Sequence, residues 1–202
     1  MAGFKEAVQT ADFPANDTTF YAGNLKYSCI RYVPVNLSKV QSKVWVDPRS
    51  GEIINGTIFV GHDIVKTIAN QRFIQTAQAD KRMRGLQLSE EILLESIRLN
   101  VAREVGHCLG LADNASASAA FSVESLRSAA FTEQNGIASS VMDELPYNYI
   151  AQPQDDKVQF VQNKLGAYDL YAIQMGYMLI PDTKTPEEIR EKIMRWVSMK
   201  SG

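Results

Sequence analysis

The stretch from Ser89 to Gly110 constrains the fold more than any other. Ser89 is an N-cap residue, and Glu90 and Glu91 follow in the first turn, where carboxylates favour the helix dipole. Ile92, Leu93, Ile97, Val101, Val105 and Leu109 recur at close to helical spacing. Gly110 stands where such a helix stops. The segment predicts one long, largely buried helix from Ser89 to Leu109.

The flanking sequence supplies something to bury it against. Tyr27 to Val35 is β-branched and aromatic and reads as a strand. Lys43 to Val46, a turn over Asp47 to Glu52, and Ile53 to Val60 read as an antiparallel hairpin. His62 to about Met83 has a helical pattern, with Ile64, Val65, Ile68, Phe73 and Ile74 roughly on one stripe. Gly3 to Thr10 reads as a short helix and Asp12 to Asn24 as loop. Beyond the long helix, Asn114 to Val158 has no period except a short helix around Val123 to Ala130, and so long an irregular stretch is often functional. Tyr168 to Ile180 reads as a helix. Thr185-Pro186-Glu187-Glu188 starts another, running to about Met199 and burying Ile189, Ile193, Trp196 and Val197.

Composition narrows the function classes. A chain of 202 residues is about one domain. A net charge of −2 argues against a dedicated nucleic-acid surface, and no run of 18 apolar residues is present to span a membrane. With only Cys29 and Cys108 there is no disulfide framework and no Cys-x-x-Cys module. His62 and His107 are the only histidines, so a three-histidine metal centre is impossible. Met1-Ala2-Gly3-Phe4-Lys5 lacks the features of a signal peptide, which suits either a cytoplasmic protein or a piece of a longer chain.

The chemistry-bearing residues close the long helix: Arg103-Glu104-Val105-Gly106-His107-Cys108-Leu109-Gly110-Leu111-Ala112-Asp113. This segment resembles the metzincin zinc-peptidase signature H-E-x-x-H-x-x-G-x-x-H. In that pattern two ligands four residues apart share a helix face, about 6 Å apart along the axis. The Glu reaches a metal-bound water as general base, and the Gly lets the chain turn so that a third ligand returns. Ser139-Ser140-Val141-Met142-Asp143 resembles the Met-turn that completes the signature. Tyr27 to Val33, Asp47 to Ile53, Ala120 to Ser128, and Tyr147-Asn148-Tyr149 followed by Ala151-Gln152-Pro153 add to the likeness in the same order. Together they are similar to a large family of bacterial metzincin-like zinc-dependent peptidases.

The resemblance implies an α/β (α+β) fold of metzincin type. A twisted mixed sheet would pack against two long helices in a subdomain over residues 1–113. A mainly irregular and helical subdomain, with the Met-turn, would follow over 114–202, with the site in the cleft between. It also implies zinc as cofactor, Glu104 as base, His107 and Asp113 as ligands, and Met142 as packing beneath the metal. The parent would be a longer, secreted, periplasmic or cell-surface protein from which this catalytic-type domain is cut.

Three positions depart from the pattern. Arg103 stands in the first histidine place, and a guanidinium has five donors and no acceptor, so it cannot ligate a metal. Its charge 4 Å from a divalent ion costs about 8 kcal/mol at an effective dielectric of 20. Asp113 stands in the third place, where a carboxylate can still bind zinc. Glu144 stands two residues after Met142, where several metzincins carry a tyrosine that steadies the transition state. Arg103 is expected to fill part of the metal position and to pair with Asp113 or Glu104, displacing zinc or leaving it weakly held. Cys108 diverges from His107 by about 100° on the helix, so an inert buried thiol is expected. His62 reads as structural, and Lys81-Arg82-Met83-Arg84 as a solvated helix end. Tyr147 and Tyr149 either line a groove or pack.

Three functions remain open. The first is a non-catalytic pseudoenzyme that binds a peptide or protein partner, with Ile53 to Val60 as an edge strand for strand addition. The second is a working zinc endopeptidase using His107, Asp113 and a third ligand, with Glu104 as base. The third is a purely structural domain. Neither the partner nor the oligomeric state is legible.

Overall fold

The strands form in runs rich in β-branched and aromatic residues. In the computed structural model, which describes residues 2–85, 87–180 and 185–200, β1 (Ile30–Val33), β2 (Val40–Val46) and β3 (Ile53–Gly61) make one mixed sheet in the order β1-β3-β2. β2 and β3 pair antiparallel, with Val40 against Val60 and Trp45 against Asn55, and the register shifts between Trp45 and Val46. The turn joining them closes through Asp47 N–H on Glu52 O (2.9 Å) and Gly51 N–H on Asp47 O (2.8 Å), with Gly51 at φ +77°. β1 runs parallel to β3. Ile53 to Val60 is therefore central, not an edge. It is paired on both sides because β1 returns to its open flank, and the free edges belong to β1 and β2.

α1 (Ile64–Thr76) and α2 (Glu90–Cys108) follow. Ser89 caps α2, its Oγ accepting from Ile92 N–H at 3.4 Å. Val40, Ile58, Ile64 and Ile68 form one core cluster, packed by Leu93, Ile97, Val101 and Val105 of α2. A Cβ on Gly56 would lie 2.8 Å from Cys108 Sγ, so only glycine lets α2 sit this close to β3.

α1 is shorter than its sequence suggests, and its buried stripe is different. Asp80 turns extended, at φ −80° and ψ 97°, and its carboxylate caps a separate 3-10 turn over Lys81–Arg84 with Met83 buried. The buried residues of α1 are Ile64, Ile68, Arg72 and Thr76, while Val65, Phe73 and Ile74 are exposed. The stripe runs straight through a polar pair. Arg72 is 0% exposed and spends its guanidinium on four acceptors. Nη1 donates to Ile92 O and Ser96 Oγ (both 3.1 Å), and Nη2 to Asp80 Oδ2 (3.3 Å) and Glu95 Oε2 (2.7 Å). Arg82 reinforces the cluster through Asp80 (2.9 Å) and Glu95 (3.1 Å), so that turn is more than a solvated helix end.

Burial alone would push the Asp80 carboxyl up. The hydrogen bonds and charge of Arg82, with the charge of Arg72, outweigh it and hold the carboxyl below its ordinary value. A carboxyl lowered in the folded state stabilises fully above its unfolded pKa of about 3.9, and that contribution is lost as pH falls through the lower folded value. Urea midpoints should therefore drop as pH falls below about 4, and Asp80→Asn should remove part of that slope. An unchanged slope would rule out Asp80 as a source.

Past α2 the chain has little regular structure. α3 (Val123–Leu126) and α4 (Ala129–Asn135) are short, capped by Ser122 (3.2 Å) and Ser128 (3.3 Å). Buried polar side chains replace strand ladders here. Gln162 Oε1 accepts from Ile137 and Ala138 N–H (2.6 and 3.1 Å), and Asn148 Nδ2 donates to Leu126 and Gln159 O (2.8 and 3.1 Å). α5 (Ala167–Tyr177) and α6 (Pro186–Lys200) complete the chain, α6 capped by Thr185 Oγ1 on Glu188 N–H (3.3 Å).

The described residues fall into two compact units, Pro14–Asp169 and the remainder. In the second, Tyr171 and Trp196 pack with ring centroids 5.1 Å apart. Ile193, Trp196 and Val197 are only half-buried and Ile189 is exposed, less than the apolar pattern of α6 suggests. Gly3 to Thr10 forms no helix. Gly3 and Glu6 take positive φ, and Phe4 and Val8 are exposed, so no packed face exists to stabilise so short a helix.

Candidate metal centre

α2 ends in a reversal that brings Asp113 back onto it. Gly110 (φ +82°) donates to His107 O, and Leu111 N–H donates to Gly106 O, both at 3.0 Å. This is a Schellman stop, with glycine in the left-handed position. Leu111 then packs on the cluster of Leu99, Val141, Met142, Tyr147 and Val161.

Three side chains meet at the reversal. Arg103 Nη2 donates to Asp113 Oδ1 at 2.6 Å, and His107 Nε2 lies 3.2 Å from the same oxygen. The other ring nitrogen, Nδ1, lies 3.0 Å from Leu111 O. The Arg103 hydrogen bond is the main influence holding the Asp113 carboxyl below its ordinary value; the charges of Arg103 and His107 add to it.

Glu104 is engaged elsewhere. Its Oε2 accepts from Ser42 N–H at 2.5 Å. Ser42 lies on β2, between positions that bond β3, so this N–H points off the free edge of the sheet. Cys108 lies against Gly56, and burial, with the nearby Glu104 charge, pushes its thiol up, the opposite of what reactivity needs. Cys29 is also a free thiol.

Beneath the helix lies Met142, 1% exposed. A Cβ on Gly106 would sit 2.3 Å from Met142 Sδ, so this glycine is what lets the methionine reach the helix. Met142 O accepts from Asn114 N–H (2.9 Å), tying the turn to the chain just past Asp113. The turn itself is clamped by Asp169, which is buried. Ser140 Oγ donates to Oδ1 (2.5 Å), and Val141 and Gly166 N–H donate to Oδ2 (2.9 and 2.8 Å). Nothing in the local sequence of Asp169 signals this role, whereas the spacing of Arg72 from Ile64 and Ile68, four residues at a time, does signal burial.

Glu144 is exposed and makes no ion pair or hydrogen bond among the described residues. Tyr147 is buried, with Arg72 5.9 Å over its ring, and Tyr149 is half exposed. Both line a pocket of about 310 Å³ with Phe121 and Leu126. His62 Nδ1 meets Tyr32 OH at 2.5 Å on the surface of the sheet.

The residues do not fit a zinc ion as they stand. Among the described residues no three His, Cys, Asp or Glu side chains are grouped so that they could hold a metal ion. The one carboxylate oxygen facing His107 is already bonded to a cation, and a catalytic zinc takes three protein ligands. What remains is an ion-paired cross-link between α2 and its return loop.

A helix carrying Glu104 and His107, a glycine reversal and a methionine turn packed beneath it define a metzincin-like domain of the α+β class. A family model described as Met-zincin matches residues 85–202, and the chain belongs to that family. The match spans α2, the methionine turn and both C-terminal helices. The family description implies zinc in related proteins. No curated protein and no solved structure matches. Among the described residues no helix is long and apolar enough to cross a membrane.

Proposed function

We propose that this is a Met-zincin domain whose metal position has been taken over by an ion pair, and that it serves as a non-catalytic peptide- or partner-binding module. The observation that carries this reading is the 2.6 Å contact of Arg103 Nη2 with Asp113 Oδ1, on the oxygen that also faces His107. Glu104 supports it, since its Oε2 accepts from Ser42 N–H on β2 and that lone pair is taken up by the sheet edge. An extracytoplasmic location belongs to the same reading.

One observation favours an active zinc peptidase instead. Two ligands of a tetrahedral zinc stand about 3.3 Å apart, given bonds near 2.0 Å. His107 Nε2 and Asp113 Oδ1 are 3.2 Å apart. That reading requires Arg103 to swing away and a third ligand to arrive.

A quenched-fluorescent peptide library decides between them. The proposal expects no cleavage that a chelator suppresses. Chelator-sensitive cleavage, abolished by Glu104→Gln, would overturn it.

A further inference from the structure

A second concave surface lies on another face of α2. It is a groove of about 840 Å³, walled on one side by the helix from Glu91 to Ala102 and on the other by the chain from Lys157 to Leu165. All of it falls within the Pro14–Asp169 unit. The helical wall is about 16 Å long at 1.5 Å per residue, room for about five residues of extended peptide.

Its chemistry is two-toned. Leu94, Leu99, Val141, Phe160 and Val161 contribute apolar surface. Two carboxylates line it, Glu91 and Glu95, but both face Arg82, and Glu95 also holds Arg72. Arg98 and Lys157 are exposed and have no ion-pair or hydrogen-bond partner among the described residues. Lys164, also in the lining, donates to the carbonyls of Glu133 and Gln134, which leaves its charge uncompensated. The groove is thus cationic on a chain whose net charge is −2.

We infer that this groove binds an extended peptide segment that alternates acidic and apolar side chains. The apolar side chains would take the floor, and the carboxylates would meet Arg98 and Lys157. Charge complementarity selects this partner: a basic segment would be repelled, and a purely polar one would leave the apolar floor wet. The inference rests on the binding-module reading above and gives it a place away from Arg103, His107 and Asp113.

The test is fluorescence anisotropy with a labelled ten-residue peptide alternating Glu with Leu and Phe. Controls are the same peptide with Lys for Glu, poly-glutamate, and a single-stranded oligonucleotide. The acidic–apolar peptide should bind best and weaken as salt is raised. Arg98→Glu with Lys157→Glu should weaken it roughly tenfold, with Arg98→Gln and Lys157→Gln intermediate. Both side chains are exposed, so circular dichroism and melting should be unchanged. Equal binding of any control, or binding indifferent to the charge reversals, would overturn the inference. So would sedimentation showing that a second copy of the chain occludes the groove. Cleavage of the peptide in a chelator-sensitive manner would sink the non-catalytic reading alone, because the charge-reversal result would still report on the groove.

Discussion

Changing Arg72 to methionine is expected to lower the free energy of unfolding by about 3–4 kcal/mol, read from urea midpoints. Arg72 is wholly buried and bridges α1, α2 and the turn at Asp80. Methionine fills much of the same volume but donates nothing, so the carboxylates of Asp80 and Glu95 lose a cation while staying in place. Arg82 still pairs with both, which keeps the cost in the lower part of the range for a broken buried ion pair. A lysine has one charged tip where the guanidinium has a fork, so Arg72→Lys should recover only part of the loss. A double-mutant cycle of Arg72→Met with Asp80→Asn should show coupling of at least about 0.5 kcal/mol. Arg72→Met within about 1 kcal/mol of the parent would show that the cluster merely satisfies its own desolvation.

Replacing Asp169 by alanine should be as damaging, at about 4 kcal/mol, or a melting temperature lower by about 8–16 °C. The carboxylate accepts from Ser140 Oγ, Val141 N–H and Gly166 N–H in a buried setting. Alanine leaves all three donors without a partner, and each orphaned buried donor costs about 1–3 kcal/mol. The backbone has no room to collapse onto the gap. A Cβ on Gly166 would already lie 2.0 Å from Ser139 O, so these two strands of chain are as close as backbone permits. The local readout is Met142, whose methyl resonance should move as the turn loosens beneath Gly106. Asp169→Asn retains an acceptor oxygen and should fall between. Asp169→Ala with parental melting and an unmoved Met142 methyl would show that Asp169 does not clamp the turn.

Local signals made α2 legible. Ser89 caps it, its apolar residues repeat at helical spacing, and Gly110 ends it; none of these depends on distant contacts. The hairpin was legible for the same reason, through Asp47, Gly51 and Glu52. Strand order was not, because β1 joins β3 across more than twenty residues and nothing in Ile53 to Val60 says which flank is covered. The buried row of α1 departs from its apolar stripe because a charged residue, Arg72, continues the spacing of Ile64 and Ile68. Arg72 is buried because Asp80, Glu95 and Ser96 arrive from later elements, and their arrival has no local trace.

The site divides along the same line. The family motif places Arg103, His107, Asp113 and Met142, and the Schellman reversal gathers them. The partner of Glu104 is Ser42 on a distant strand, and a motif cannot carry that. Nor can it carry Asp169, which lies 27 positions after Met142 and acts through backbone N–H groups that look alike in any sequence.

On the function proposed above, the Arg103 guanidinium stands in for the metal. The most direct test is elemental analysis of the chain purified without chelator and equilibrated with zinc. An Arg103–Asp113 ion pair predicts zinc far below one ion per chain. One zinc per chain, retained through dialysis, would show that the ion pair yields to the metal and would overturn the non-catalytic reading.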